Sequence, residues 1–176
     1  MWYFISFLYL IDFMNIVPQV KIFLEEQFKL HNLTRKSFEA HSKISYRNIC
    51  HILNSETKNI TLINLIRIAH YFNCSIDEVI GRLNYKDTNT SYTYHDLDFV
   101  LNSYNKNLHP FLHTKIQEQN LNPYKFAQIL GFNAKVIIRF INDNTFQKHL
   151  TTPVIVAISD YFDTAIDKMI GRISYS

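Results

Sequence analysis

Apolar residues recur along this chain at the spacing of helix faces. Val20, Phe23, Leu24 and Phe28 fall three and four positions apart, with Gln27 the polar residue on that stripe. Ile49, Ile52 and Leu53 make a shorter stripe, and Leu62, Leu65, Ile66, Ala69 and Phe72 a longer one. Polar punctuation separates them. Thr34 and Ser45 stand where a helix start needs a side-chain oxygen for its unpaired N–H groups. Ser75 and Glu78 have the spacing of a capping box, and Gly81 offers the left-handed residue on which a helix stops. The pattern predicts five short helices across residues 20–82.

The pattern then returns. "YFNCSIDEVIGR" at 71–82 is echoed by "YFDTAIDKMIGR" at 161–172, an offset of 90 that holds back to Ile60 and Leu150. There the second copy carries two extra residues, "DNTFQKH" against "SETKN", and upstream the offset is 88. Phe23-Leu24 answers Phe111-Leu112, Asn32-Leu33 answers Asn120-Leu121, and Phe38 answers Phe126. Self-similarity at this length marks a duplicated domain, since each unit is too long for a solenoid repeat. In the second copy Asn122-Pro123 and Thr152-Pro153 read as a cap followed by a first-turn proline. Gly131 stands between the second and third helices, where a tight turn wants a positive φ. The organisation expected is an apolar extension at 1–19, a first domain at 20–82, a linker at 83–107 and a second domain at 108–172. Within the linker, "HDLDFVLNSY" adds one more helix.

Composition narrows the class. Three glycines and four prolines in 176 residues are too few for the turns a β-rich chain needs, so the reading is all-α. A 47% hydrophobic share without low-complexity tracts excludes disorder throughout. The opening "MWYFISFLYLIDFMNIV" loses its apolar run at Asp12, short of the ~18 residues of a membrane span. It has neither the basic start nor the small-residue cleavage site of a secretory signal. It reads either as an extra helix or as residues ahead of a true start at Met14. Cys50 and Cys74 form no CxxC pair and imply a reducing cytoplasm, with Cys74 read as a small core residue. A net charge of +3 beside eight histidines admits a polyanionic partner. No metalloprotease motif, phosphate-binding glycine loop or nucleophile elbow occurs, so neither catalysis nor a cofactor or metal is expected. His95, Asp96 and Asp98 read as a polar loop before a helix.

Residues 121–141, "LNPYKFAQILGFNAKVIIRFI", set helix, glycine-containing turn and helix in succession, the arrangement of a helix-turn-helix. On Leu121, Phe126-Ala127, Leu130-Gly131-Phe132, Asn133, Ile137 and Phe140 the stretch resembles the Cro/repressor-like (XRE) family of DNA-binding domains. "AISDYFDTAIDKMIG" looks like that family's fourth and fifth helices. The first copy carries the frame at Leu33-Thr34, Phe38, Ile44-Ser45, Ile49 and Ile52. The resemblance implies two tandem five-helix lambda-repressor-like helix-turn-helix domains joined by a linker. Copy one departs from the pattern at Glu39, where copy two has Ala127, and at Lys43, where copy two has Gly131. Ser42 replaces an apolar residue, and Leu53 and Ile141 stand where the family carries an acidic one.

Carried onto matching positions, the third helix of each copy lies in the major groove with its first residues at base edges. In copy one these are Ser45, Tyr46, Arg47, Asn48 and His51, with Arg35 and Lys36 over the backbone. Arginine pairs with guanine and asparagine with adenine, and Ser45 with the free N–H groups of that helix start suits a phosphate. His51 beside a phosphate would tighten binding as pH falls. In copy two the equivalents are Asn133, Lys135 and Arg139, with Lys125 on the second helix and Ala134 limited to apolar contact. The implied function is that of a cytoplasmic, bacterial transcriptional regulator acting by occupancy of double-stranded DNA, with no membrane partner. A homodimer and a single chain acting as a pseudo-dimer both stay open. The alternative is that one copy, the second with its smaller readers, serves dimerisation or protein interaction instead.

Overall fold

Side-chain caps mark the start of most helices, while those at Val17, Thr152 and Ile166 begin without one. The computed structural model describes residues 15–82 and 92–175. The apolar opening run, the alternative start at Met14 and the stretch 83–91 of the expected linker lie outside the described residues. The chain divides into two compact units, Met1–Lys86 and Asp87–Ser176.

In the first unit, helix α1 covers Val17–Leu30, with Pro18 in its first turn, so it starts three positions ahead of the expected domain boundary. Helix α2, Arg35–Ser42, opens on a reciprocal capping box. The Thr34 hydroxyl accepts from the Ser37 N–H, and the Ser37 hydroxyl accepts from the Thr34 N–H. Ser45 caps α3, Tyr46–Leu53; Thr61 caps α4, Leu62–Tyr71; and Ser75 caps α5, Ile76–Val79. The turn into α3 passes through Lys43 at φ 58°, a left-handed geometry that costs a side-chain-bearing residue roughly 1 kcal/mol. The buried Ser42 makes this turn workable, because its hydroxyl accepts from the Ile44 N–H at 3.2 Å.

Four rings close the core of this unit. Phe38, fully buried, stacks on Phe72 at 5.5 Å and meets Phe28 and Tyr71 edge-on at 5.1 and 4.9 Å. Burying one such ring contributes roughly 1.5–3 kcal/mol. In the second unit Phe126 stacks on Phe162 at 5.3 Å and meets Tyr161 edge-on at 5.3 Å. Phe23, Phe38 and Phe126 are therefore core, with Phe28, Phe72, Phe111 and Phe162 half-buried around them.

The second unit contains α6 (Leu97–Glu118), α7 (Pro123–Ile129), α8 (Ala134–Ile141), α9 (Thr152–Tyr161) and α10 (Ile166–Met169). Asn122 caps α7 as expected, accepting from the Lys125 N–H at 2.8 Å. For α9 the cap position is Thr151, not Thr152; Thr152 is the first helical residue and is buried. Gly131, at φ 73°, makes the α7–α8 turn without the strain of Lys43.

The larger departure is α6. The short helix expected before residue 108 and the first helix of the second repeat are one element of 22 residues. Asp96 caps it, accepting from the Phe99 N–H at 2.9 Å, which accounts for the polar run of His95, Asp96 and Asp98. Leu97, Val100, Tyr104, Leu108, Leu112 and Ile116 are buried at spacings of three and four, so the inner face runs unbroken through the expected boundary. Pro110 lies within the helix, where a missing N–H and a ring clash oppose helix by about 3 kcal/mol. Packing of the residues before and after it offsets that cost.

Two short strands qualify the all-α expectation. β1, Tyr92–Tyr94, pairs antiparallel with β2, Ile173–Tyr175, with Thr93 opposite Ser174. The ribbon packs onto the end of the repeated phrase, where the Arg172 guanidinium lies 3.8 Å over the Tyr94 ring and Arg172 O accepts from the His95 N–H at 2.9 Å.

The phrase itself encodes a buried ion pair in both copies, and a side-chain cap, Ser75, in the first alone. Arg82 donates to Asp77 at 2.8 Å, and Arg172 to Asp167 at 2.6 Å, all four side chains being buried. The backbone N–H of each arginine also donates to the carbonyl of the same aspartate, at 2.7 and 2.8 Å. Gly171, at φ 66°, is needed twice over, because a side chain there would also collide with the Asn107 carboxamide. Cys74 is only half-buried, not the enclosed core residue expected.

Candidate nucleic-acid interface

In each unit the third helix is sharply two-faced. Ile49, Ile52 and Leu53 turn α3 inward, and Ile137 and Phe140 do the same for α8. The outward positions of α3 are mostly polar, whereas α8 exposes Lys135 and Arg139 beside the apolar Val136. Ser45, Tyr46, Arg47 and Asn48 are exposed and His51 is partly so; Asn133, Lys135 and Arg139 are exposed on the second unit. On the preceding helices Lys36 and Lys125 are exposed, and Arg35 is half-buried with its guanidinium 3.4 Å from Cys50 Sγ.

The first unit ties its outward groups to one another. Arg47 Nε donates to His51 Nε2 at 3.1 Å, and His51 Nδ1 lies 2.7 Å from Glu56 Oε2. With Nδ1 donating to the carboxylate and Nε2 accepting from Arg47, both ring nitrogens are engaged within the chain. His51 is thus not open to a phosphate in this arrangement. Hydrogen bonds from Asn54 and from His51 hold the Glu56 carboxyl below the ordinary carboxylate range.

A second carboxylate sits at the start of the same helix. Glu39, half-buried, accepts from the Tyr46 N–H at 2.8 Å, and Ser45 Oγ accepts from the Asn48 N–H at 3.4 Å. The free N–H groups expected there for a phosphate are therefore partly filled from within, and the favourable end of the helix dipole already faces an anion. This is the physical role of the Glu39 departure. The matching Ala127 is buried against the fold and offers no such group.

The second unit leaves its cations open. Asn133 caps α8 by accepting from the Lys135 N–H at 2.9 Å, so its side-chain oxygen is in use. Lys135 and Arg139 line a cleft of about 310 Å³ together with Asn133, Phe140, Lys148 and His149. The side-chain cations of Lys135, Arg139 and Lys148 have no hydrogen-bonded or ionic partner among the described residues. Lys125 does not line this cleft. Lys148 and His149 belong to the loop with two extra residues, and sequence reasoning passed over them. The signal available was the loop itself, which ends on two basic residues next to a reader helix.

That loop is built firmly. Asp143 accepts from the Thr145 hydroxyl and the Lys148 N–H, both at 2.5 Å, and from the Thr145 N–H at 3.1 Å. These bonds, that of the Thr145 hydroxyl first, lower its carboxyl pKa from 3.8 to about 2. From α6, the buried Asn105 donates to Phe146 O and to Lys148 O, the latter at 2.8 Å. The Tyr104 hydroxyl lies 3.0 Å from His149 Nδ1, and burial raises the Tyr104 pKa.

Comparisons with known proteins agree in kind with this geometry. The chain is 36% identical over 72 residues to an uncharacterised HTH-type transcriptional regulator of Rickettsia prowazekii, covering 39% of this chain and 78% of that protein. It is also 36% identical over 72 residues to an uncharacterised HTH-type transcriptional regulator of Rickettsia conorii, covering 39% of this chain and 66% of that protein. No family model matches the chain, and no solved structure matches it. Among the described residues no helix is long and apolar enough to cross a membrane.

Proposed function

Because this chain belongs to the HTH-type transcriptional regulators, we propose that it binds double-stranded DNA and regulates transcription through two tandem helix-turn-helix domains of the Cro/repressor-like (XRE) kind. One observation carries the reading. Both units present a third helix that buries apolar residues, Ile49 and Ile52 or Ile137 and Phe140, and offers polar ones outward at corresponding positions, Arg47 answering Lys135 and His51 answering Arg139. Such a helix, entered from a tight turn, fits a major groove. Its donors supply base-edge contacts, and Lys36, Arg35 and Lys125 supply backbone contacts. No chemical step is involved: the mechanism is occupancy of a site on DNA, in the cytoplasm of a bacterium.

A second reading has its own observation. Tyr124 and Ile129 on α7 are exposed to 55% and 54%, where the first unit has Lys36 and His41. Two apolar side chains in place of two basic ones favour a protein contact, and hence a unit that dimerises or recruits rather than reads.

Gel shifts on a selected binding site separate the two. If both units read bases, Arg47→Ala and Arg139→Ala each weaken binding by about 1–3 kcal/mol and relax specificity at one position. Arg47 is tied to His51 through Nε alone, which leaves both Nη groups for a base, and its substitution also frees that ring. Unchanged affinity and specificity in Arg139→Ala would assign base reading to the first unit alone.

A further inference from the structure

The cleft beside α8 has a counterpart in the first unit. Asn48, His51 and Ile52 on α3 answer Val136, Arg139 and Phe140, and Asn59 and Ile60 answer His149 and Leu150. The two clefts, about 210 and 310 Å³, are the same place in the fold with opposite chemistry. The first is lined by Glu56 and neutral amides, with Glu56 held against His51. An anion entering it would meet that carboxylate. The second is lined by Lys135, Arg139, Lys148 and His149 and by no carboxylate. The nearby Asp143 turns its oxygens onto the Thr145 and Lys148 N–H groups of its own loop.

Geometry also fixes how the loop residues are offered. Lys148 is held by its backbone at both ends, N–H to Asp143 and O to Asn105, while its side chain is exposed. The Tyr104 hydroxyl lies against His149 Nδ1, which orients the ring and leaves Nε2 without a hydrogen-bonded partner among the described residues. Three unpaired cations and one oriented imidazole around a single cleft are an arrangement for a phosphate oxygen.

We propose that the cleft between α8 and the 143–149 loop seats a backbone phosphate of duplex DNA, with Lys148 and His149 as contacts outside the reader helix, and that its counterpart in the first unit does not. The assignment rests on the DNA-binding reading above and gives the second unit the firmer hold on the duplex.

The test uses the full chain, a mixed-sequence duplex and binding measured between about 50 and 200 mM salt, where each neutralised phosphate adds about 0.9 to the slope of log affinity against log salt. Lys148→Gln should weaken binding on every sequence alike and reduce that slope by about 0.9, with Lys148→Arg restoring it. Lys58→Gln, the change at the matching position of the first unit, should leave the slope unchanged. His149→Gln should weaken binding on every sequence alike. An unchanged slope in Lys148→Gln, or an equal loss in Lys58→Gln, overturns the assignment while leaving DNA binding intact. A wild-type chain that binds no duplex at any of these salts overturns the DNA reading, and this inference with it.

Discussion

A guanidinium shut away from water has to find its compensating charge inside the fold. Arg172 and Asp167 do so at 2.6 Å, and Arg82 and Asp77 repeat the arrangement at 2.8 Å. Removing one member of such a pair leaves the other buried without its counter-charge, which typically costs about 3–5 kcal/mol, whereas replacing both by apolar residues is often close to neutral. Arg172→Met should therefore destabilise the second unit by about that amount in urea unfolding, and Asp167→Leu with Arg172→Met should recover a large part of it. Equal losses in the single and double variants would show that the pair acts only through its shape. The repeated aspartate and arginine were legible from the echo as residues that matter, but not as partners. Five positions apart on a short helix and its exit, they meet only because the glycine between them turns the backbone.

At the scale of elements, legibility followed range. Caps are local, so Thr34, Ser45, Ser75 and Asn122 could be read where they stand. The start of α6 could not, because the polar stretch before residue 108 resembles a linker while every third or fourth position continues the inner face. The three-residue strands pair across about 80 positions of sequence, beyond any local pattern. At the cleft beside α8, Lys135 and Arg139 were legible through the helix-turn-helix resemblance. Lys148 and His149 were not, since the two extra residues break the alignment at that point. The loop carrying them makes a pH prediction. Asp143 has its pKa lowered from 3.8 to about 2, so its contribution to stability is complete above the unfolded value and is lost as pH falls through about 2. The thermal midpoint of the wild type should exceed that of Asp143→Asn by a constant margin near neutral pH, with the two converging in strong acid. Parallel curves across the whole range would mean that the loop is held without this carboxylate.

For the whole molecule the relevant feature is how much of the expected linker is not linker. Residues 92–107, placed by composition in a spacer of about 25 residues with a reach of roughly 80 Å, supply β1 and the first half of α6. What joins the described parts is residues 83–91, a segment that even fully extended covers only roughly 33 Å at ~3.3 Å per residue. That is about one turn of duplex, the usual separation of half-sites. If both units bind, the second encounters DNA at an effective concentration set by this tether and independent of how much protein is in solution. That concentration falls roughly as the −3/2 power of tether length once the span is exceeded. Doubling the segment with glycine and serine should then weaken binding to a two-half-site duplex by about threefold while sparing a single half-site, and equal affinities would mean that the units bind independently. If both units bind, the sixteen residues that the second unit takes from the spacer into its own fold exchange reach for avidity.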